Sequence, residues 1–271
     1  SAAAKAQRWR WNWCNASLVG ATLSSRWASA QYNKSPRGRG SYKSKTMTTV
    51  LLIGASRGIG FELARQYLAE GWRVIATARS EDGLARLKAL GAETLRLDVA
   101  NPASNTGLAW QLDGEKIELA IYVAGAMDRA GASTPPTRDS FDAVMHTNVM
   151  GAMQVIPQIV PMVQETHGVI ACISSIMGSL QETTSGNAAL YRVSKAALNM
   201  VVRCTQAEQT DITVLAIHPG WVQTEMGGEQ APLTTEQSAA SLRQTFNQIL
   251  EQRDPKHRGA FLNHDGQPLP W

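Results

Sequence analysis

Tyr191 and Lys195 stand four residues apart in 190-LYRVSKAALNM-200, within a predicted helix over 188–209. Side chains at this spacing lie on the same face of a helix. A free phenol has a pKa of about 10, which is too high for efficient proton exchange near neutral pH. A neighbouring ammonium group favours the phenolate, so we expect Lys195 to lower the pKa of Tyr191. The pair could then exchange a proton with a reacting oxygen. An exposed helix pair without a chemical role is the alternative.

Two serines, Ser174 and Ser175, end a predicted strand in 172-CISSIMGS-179. Successive strand residues point to opposite faces, so only one of them can face Tyr191. A hydroxyl beside Tyr191 would hydrogen-bond a substrate oxygen and help to fix its geometry. A serine that only caps the next helix is the alternative.

Three glycines, Gly54, Gly58 and Gly60, lie in 53-IGASRGIG-60 between the first predicted strand and the first helix. Glycines let a backbone approach a phosphate closely, and a helix N-terminus offers free N–H groups and partial positive charge. The spacing, GxxxGxG, predicts a dinucleotide-binding loop. A tight strand-to-helix turn is the alternative.

Strands and helices alternate along the chain from residue 47 onward. The predicted strands are 49–53, 73–77, 94–97, 117–123, 168–173, 212–217 and 260–262, and the longer helices are 58–70, 140–163, 188–209 and 235–252. This order predicts an α/β fold, a Rossmann-like doubly wound parallel sheet with three α/β/α layers, as a single domain over 47–271. Ligands of such sheets bind beyond the carboxyl ends of the strands.

Residues 1–46 form a basic leader of different composition. They carry nine Lys or Arg and no Asp or Glu, which leaves 17 basic against 22 acidic side chains in residues 47–271. We interpret the leader as a disordered or non-native extension, with Met47 resembling a natural start. An organellar transit segment and a nucleic-acid-binding arm are the alternatives.

Composition narrows the class of protein further. No apolar run approaches the roughly 18 residues that span a bilayer, so we expect no membrane partner. The three cysteines form no CxxC pair, which favours a reduced, cytoplasmic setting, with organellar import through the leader left open. The five histidines show no HxH or HxxxH spacing, so no metal site is predicted.

Two further motifs complete an ordered set. Asn148 lies in 146-HTNVMG-151 on the long helix 140–163, and Pro219-Gly220 follows a strand in 216-AIHPGWVQTEMGG-228. The glycine loop, Asn148, a serine, YxxxK and Pro-Gly, in this order, resemble the short-chain dehydrogenase/reductase family over about residues 49–271. The residues in and around these motifs and the ending 261-FLNHDGQPLPW-271 resemble its C-factor-like and sniffer-like carbonyl reductase branch.

The resemblance implies an oxidoreductase that reduces a small aldehyde or ketone to an alcohol, or the reverse, with Tyr191 as proton donor or acceptor. It implies that Ser175, and not Ser174, contacts the substrate, and that Lys195 bonds the nicotinamide ribose. It also implies that Asn148 holds a water that links Lys195 to solvent. It also implies a homodimer or homotetramer, through helices 140–163 and 188–209. The implied cofactor contacts are Gly54, Ser56, Arg57, Gly58, Ile59, Gly60, Arg79, Asp98, Val99, Ala124, Gly125, Asn148, Tyr191, Lys195, Pro219, Gly220, Val222 and Thr224.

The end of the second strand, 74-VIATARS-80, indicates which cofactor binds. An NAD site usually offers a carboxylate there for the ribose hydroxyls, whereas this chain offers Arg79 and no acid. Arg57 in the glycine loop is a second cation. Two guanidinium groups suit a 2′-phosphate, so NADP(H) is favoured over NAD(H). Two solvated surface charges are the alternative.

Two departures from the family pattern concern the nucleotide-binding core. Ile53 stands where a threonine is common, and 122-YVAG-125 stands where NNAG is common. We expect hydrophobic repacking to substitute for the lost hydrogen bonds. Substrate shape is expected to come from the segments 126–138, 178–187 and 226–233.

Two other functions remain to be weighed. One is a non-enzymatic, dinucleotide-binding signalling or regulatory protein on the same fold, as C-factor has been proposed to be. The other is nucleic-acid binding through the leader, which we disfavour. A pure sensor need not keep Asn148, Ser175, Tyr191 and Lys195 together, so their presence favours the enzyme.

Overall fold

The computed structural model describes residues 47–271, and the predictions made for the leader lie outside these residues. Seven strands form one sheet in the order β3-β2-β1-β4-β5-β6-β7, and every neighbouring pair is parallel. The strands are β1 (Thr49–Ile53), β2 (Arg73–Ala78), β3 (Glu93–Arg96), β4 (Leu119–Tyr122), β5 (Val169–Ile173), β6 (Thr213–His218) and β7 (Phe261–Asn263). The predicted doubly wound parallel sheet is confirmed.

Eight α-helices connect and cover the strands. They are α1 (Gly58–Ala69), α2 (Glu81–Leu90), α3 (Pro102–Asn105), α4 (Leu108–Gln111), α5 (Arg138–Met145), α6 (Gly151–Gln164), α7 (Ala189–Glu208) and α8 (Thr235–Gln252). Local sequence sets several helix ends. Thr234 and Gln237 form a capping box at the start of α8, and Gly91 ends α2 in the left-handed conformation. Among the helices of residues 47–271, none is long and apolar enough to cross a membrane.

Two hydrophobic cores sandwich the sheet, as alternation along β1 requires. Val50 and Leu52 pack on the face that α1, α2 and α8 cover, whereas Leu51 and Ile53 face α4, α6 and α7. All five residues of β1 are buried, because helices lie on both sides of this central strand. The predicted three layers are therefore confirmed.

The predicted single helix 140–163 is wrong in its middle. α5 and α6 are separated by a π-helical segment, His146–Met150, in which the Gly151 N–H donates to the His146 carbonyl five residues back. A π turn inserts one extra residue into a helix, so the apolar spacing on either side gives little sign of it. Such turns are frequent at functional sites, and this one contains Asn148.

The strand order changes direction between β1 and β4. β1 leads to β2 on one side, and β4 continues the sheet on the other, so the loops after these two strands diverge and leave a crevice. The glycine loop follows β1, and Ala124–Gly125 follow β4. Because the sheet is parallel, the loops after β2, β3, β5 and β6 lie at the same carboxyl edge.

Candidate active site

The glycine loop is held to the sheet through Thr77 on β2. The Gly54 N–H donates to the Thr77 hydroxyl (2.9 Å), and the Ala55 N–H donates to the Thr77 carbonyl (2.9 Å). Gly54 has φ of +88°, and a Cβ placed on it would lie 2.7 Å from the Ala124 Cβ. Only glycine combines this conformation with this close approach to the loop after β4.

The bracing of the loop is partly polar, contrary to the hydrophobic repacking that we expected. The Thr77 hydroxyl on the neighbouring strand accepts the hydrogen bond from Gly54, and the Ile53 carbonyl accepts from both the Val123 and Ala124 N–H groups at 2.9 Å. Thr77 was not among the predicted site residues. Its only signal was a lone hydroxyl near the end of an otherwise apolar strand.

Helix α7 and the end of β5 bring Tyr191, Lys195 and Ser175 together. Lys195 is 3% exposed; its Nζ donates to the Ile173 carbonyl (2.8 Å) and lies 5.6 Å from the centre of the Tyr191 ring. The turn after Ser175 fits tightly against α7, because a Cβ on Gly178 would lie 2.8 Å from the Lys195 Cβ. Glycine at 178 thus permits the approach of strand end and helix.

The two serines have different partners. The Ser174 hydroxyl donates to the Asn199 Oδ1 (2.5 Å) and is committed to the interior. The Ser175 hydroxyl accepts from the Met177 N–H (3.1 Å) and lies close enough to the Tyr191 hydroxyl to lower its pKa. Of the two serines, the structure therefore places Ser175 beside Tyr191.

The pKa of Tyr191 differs from our expectation. Burial raises it to about 12, and the Ser175 hydroxyl opposes this rise, whereas Lys195 was expected to bring the value below that of a free phenol. Burial also lowers the pKa of Lys195 to about 8. Tyr191 is therefore protonated near neutral pH, and burial outweighs the effect of its polar neighbours on its pKa.

This pKa of Lys195 predicts a pH-dependent stability. The ordinary value is 10.5, so between pH 8 and 10.5 the folded protein has lost a proton that the unfolded chain retains. Stability therefore rises with pH across this window. Relative to Lys195→Met, we expect the wild type to gain up to about 3 kcal/mol of unfolding free energy between about pH 7.5 and 10.

Urea unfolding of both proteins at several pH values would measure this gain. The buried tyrosines act in the opposite direction above about pH 10, but they are common to both proteins and cancel in the difference. Parallel pH profiles for the wild type and Lys195→Met would show that Lys195 is not held in a desolvated site.

Asn148 is fully buried, and its amide group has three partners. Its Oδ1 accepts from the Ala126 N–H (2.7 Å), and its Nδ2 donates to the Ala126 carbonyl and the Ser194 hydroxyl, both at 2.8 Å. Ser194 in turn donates to the Tyr191 carbonyl (2.7 Å). The amide group thus joins the loop after β4 to α7. The water link to Lys195 stays a prediction, and Ser194 is a bridging residue that the sequence analysis missed.

The predicted cofactor residues line the carboxyl edge of the sheet. Arg79 follows β2 and is exposed, Asp98 and Val99 follow β3, and Gly125 after β4 is exposed. The loop after Pro219-Gly220 returns to the glycine loop, because a Cβ on Gly58 would lie 3.4 Å from the Thr224 methyl group. Each predicted group of contacts is therefore at the same edge.

Arg57, the second cation predicted for the cofactor, has an ionic partner. Its Nη1 lies 2.5 Å from the Glu225 Oε2, and both side chains are well exposed. Arg79 has no ion pair among residues 47–271. Exposed ion pairs contribute little to stability, so Glu225 leaves Arg57 available to a competing anion.

The three segments that we expected to shape the substrate site are joined by hydrogen bonds. The Ala132 N–H donates to the Gly186 carbonyl (2.9 Å), and the Ala189 N–H donates to the Ala130 carbonyl (3.0 Å). The Arg129 guanidinium donates to the Met226 carbonyl (2.7 Å). The segments therefore form a connected rim near Tyr191.

The residues present fit a dinucleotide. Positions 54 and 60 have no room for side chains: a Cβ on Gly60 would lie 2.8 Å from the Ala55 Cα. A Cβ on Gly125 would lie 3.6 Å from both the Asn148 Oδ1 and the Lys195 Nζ, so polar groups border the exposed backbone there. Among the described residues, no cluster of three His, Cys, Asp or Glu side chains could hold a metal ion.

Comparison with known proteins agrees with this geometry. The sequence profile described as short chain dehydrogenase matches residues 48–233. A 1-hydroxy-2-glutathionyl-2-methyl-3-butene dehydrogenase of Rhodococcus sp. (strain AD45) is 33% identical, across 83% of this chain and 100% of the relative.

Solved structures with the same fold include two carbonyl reductases. The enzyme of Pseudomonas aeruginosa PAO1 in complex with NADP is 33% identical, with a TM-score of 0.72. Sniffer of D. melanogaster is 25% identical, with a TM-score of 0.76. Each comparison covers 83% of this chain and all of the other. The similarity to the carbonyl reductase branch is thereby confirmed.

Proposed function

Because the chain belongs to the short-chain dehydrogenase/reductase family, we propose that it is an NADP(H)-dependent oxidoreductase that reduces an aldehyde or ketone, or oxidises the corresponding alcohol. The observation that carries this proposal is the meeting of Tyr191, Ser175 and Lys195 at the edge of the sheet where the glycine loop ends. Ser175 follows β5, and Tyr191 and Lys195 lie on α7. The glycine loop follows β1, so distant parts of the chain form this site.

Tyr191 is the proton donor in the direction of reduction. Bound NADPH would supply a hydride to the carbonyl carbon, and the Tyr191 hydroxyl would give its proton to the carbonyl oxygen. The Ser175 hydroxyl donates a hydrogen bond to the same oxygen and orients it. The Lys195 ammonium would bond the nicotinamide ribose and would stabilise the phenolate that remains, since it is desolvated and close to the ring.

The remaining predicted contacts hold the cofactor. Gly54, Gly58 and Gly60 let the pyrophosphate approach the N-terminus of α1, where backbone N–H groups are free. Arg79, exposed and without an ion pair among the described residues, is the primary contact for a 2′-phosphate. Arg57 is the second contact. It would either leave its ion pair with Glu225 or bind the phosphate and Glu225 together.

Titration of the full chain with NADPH and NADH would test the cofactor. We expect NADPH to bind at least about tenfold more tightly, a difference of about 1.4 kcal/mol. Arg79→Ala should weaken NADPH binding by about tenfold or more, because a charge-assisted bond to the phosphate is lost, and should leave NADH binding unchanged. Lys116→Ala is the matched control, since it removes an exposed positive charge just before β4, at the opposite edge.

Three other results of the nucleotide titration would contradict the proposal or favour its alternative. Equal weakening of both nucleotides by Arg79→Ala would contradict the phosphate contact. Failure of the wild type to bind either nucleotide would mean that Ile53 and 122-YVAG-125 have disabled the site, and it would overturn the proposed function. Tight NADPH binding without turnover of any aldehyde or ketone would favour the signalling alternative.

The homodimer or homotetramer stays a prediction. Its support is the exposure of three apolar side chains, Met153 on α6 and Val193 and Met200 on α7, each more than half exposed. An association surface over these two helices would cover these apolar side chains.

A further inference from the structure

Tyr122 replaces a residue that is usually polar and small in this family, and it occupies a central position. It ends β4, pairs with Ile53 of β1 and Cys172 of β5, and is 1% exposed. Its hydroxyl donates to the Thr147 carbonyl at 2.7 Å. Burial raises the pKa of Tyr122 above the ordinary value, so the hydroxyl is a hydrogen-bond donor at neutral pH.

The acceptor of this bond lies inside the π segment. Among residues 47–271, the bond from Tyr122 is the one side-chain hydrogen bond to the backbone of His146–Met150. A buried polar group that loses its partner costs about 1–3 kcal/mol, so the Tyr122 hydroxyl and this turn stabilise each other. The sheet thereby fixes the helix at the residue next to Asn148.

Gly151, at the start of α6, also packs closely against the Tyr122 hydroxyl. A Cβ on Gly151 would lie 2.6 Å from the Tyr122 hydroxyl oxygen and 2.7 Å from the Val99 carbonyl oxygen. α6 can therefore start this close to β4 only without a side chain at its first residue. The tyrosine, the π turn and the glycine form one packed unit.

Asn148 transmits the position of this unit to the site. It follows Thr147 directly, and its amide bonds Ala126 in the loop after β4 and Ser194 near Tyr191 on α7. A shift of the π turn would move all three of these hydrogen bonds together, since the amide has no other partner among the described residues.

We propose that Tyr122 is a positioning residue: its hydroxyl holds the π turn that sets Asn148 against the loop after β4 and against α7. The expected effect on kcat rests on the proposed oxidoreductase function. Its structural part, the effect of Tyr122 on the Asn148 segment, is independent of activity.

The test is Tyr122→Phe, with Tyr67→Phe as its matched control. Tyr67 is also fully buried, but its hydroxyl has no hydrogen-bond partner among the described residues, and it lies on the opposite face of the sheet. Tyr122→Phe should lower kcat about tenfold with little change in the KM for NADPH, because a misplaced Asn148 affects geometry more than binding. Tyr67→Phe should leave kcat unchanged.

A double-mutant cycle separates positioning from general destabilisation. If Tyr122 acts through Asn148, Tyr122→Phe should have almost no effect on kcat in an Asn148→Ala background. Additive losses of kcat in the double variant would overturn the inference. So would equal losses in Tyr122→Phe and Tyr67→Phe.

Hydrogen exchange gives a readout without turnover. Amide exchange in residues 146–151 should be faster in Tyr122→Phe than in the wild type and unchanged in Tyr67→Phe. Unchanged exchange in Tyr122→Phe would contradict the inference even if kcat fell. Faster exchange in a protein that reduces no carbonyl would support the inference while the proposed function failed, so the two outcomes can be told apart.

Discussion

Tyr191→Phe is expected to lower the rate of carbonyl reduction by about 10²–10⁴-fold, because in the proposed function it removes the hydroxyl that protonates the carbonyl oxygen. NADPH binding should be retained, since the phenyl ring preserves the packing of α7 against the strand end. Steady-state reduction of an aldehyde panel, together with an NADPH titration of the same protein, would measure both quantities. Tyr67→Phe is again the control, because it removes a buried hydroxyl elsewhere without touching the site.

The opposite result would reassign the chemistry. Turnover of Tyr191→Phe within about threefold of the wild type would mean that another group, or solvent, supplies the proton. A biological response that survives Tyr191→Phe but requires NADPH binding would favour a dinucleotide-sensing protein over an enzyme.

Gly54→Ala is expected to abolish cofactor binding and to destabilise the fold. The added methyl group would lie 2.7 Å from the Ala124 Cβ and 2.8 Å from its Cα, so the loop after β1 must move away from the loop after β4. We expect a loss of more than about 3 kcal/mol of unfolding free energy, from a left-handed residue that gains a Cβ plus overpacking. Denaturant unfolding and NADPH titration would measure the two effects.

Gly71→Ala separates strain from overpacking. Gly71 has a similar φ of +78°, but nothing lies within 4 Å of an added Cβ. It should lose only about 1–2 kcal/mol, from the left-handed conformation alone, and bind NADPH normally. Equal losses in the two variants would show that the contact between residues 54 and 124 is not tight.

Most of the fold could be predicted, because a parallel sheet covered on both faces leaves a strong local pattern. β1 matches its predicted span, because five consecutive apolar or β-branched residues are typical of a strand buried on both faces. β4 is shorter than predicted, because the Ile117 N–H bonds the Met162 carbonyl at the end of α6 instead of joining the ladder. Apolar pattern cannot show where a ladder stops.

The parts of the site that the sequence did not predict depend on contacts between distant residues. Glu225 meets Arg57 across 168 positions of the chain, and neither residue has a neighbour that indicates the pair. The π turn accepts a hydrogen bond from the Tyr122 hydroxyl of β4, 25 positions away. The raised pKa of Tyr191 reflects burial in the folded protein, which a Tyr–Lys spacing does not determine. Local motifs therefore predicted which side chains meet, and not their electrostatic state.

The register of β1 also has a consequence for how the chain folds during synthesis. Val50 pairs with Val74 on one side and with Leu119 on the other, so the strand made early becomes the centre of the sheet. Until β4 emerges from the ribosome, one edge of β1 keeps its backbone groups unpaired while its side chains are apolar. Nascent chains that end before β4 therefore expose an aggregation-prone edge, and long-range pairing of this kind is intrinsically slow. The strand that leads into the glycine loop thus stays open to association with other chains until β4 is made.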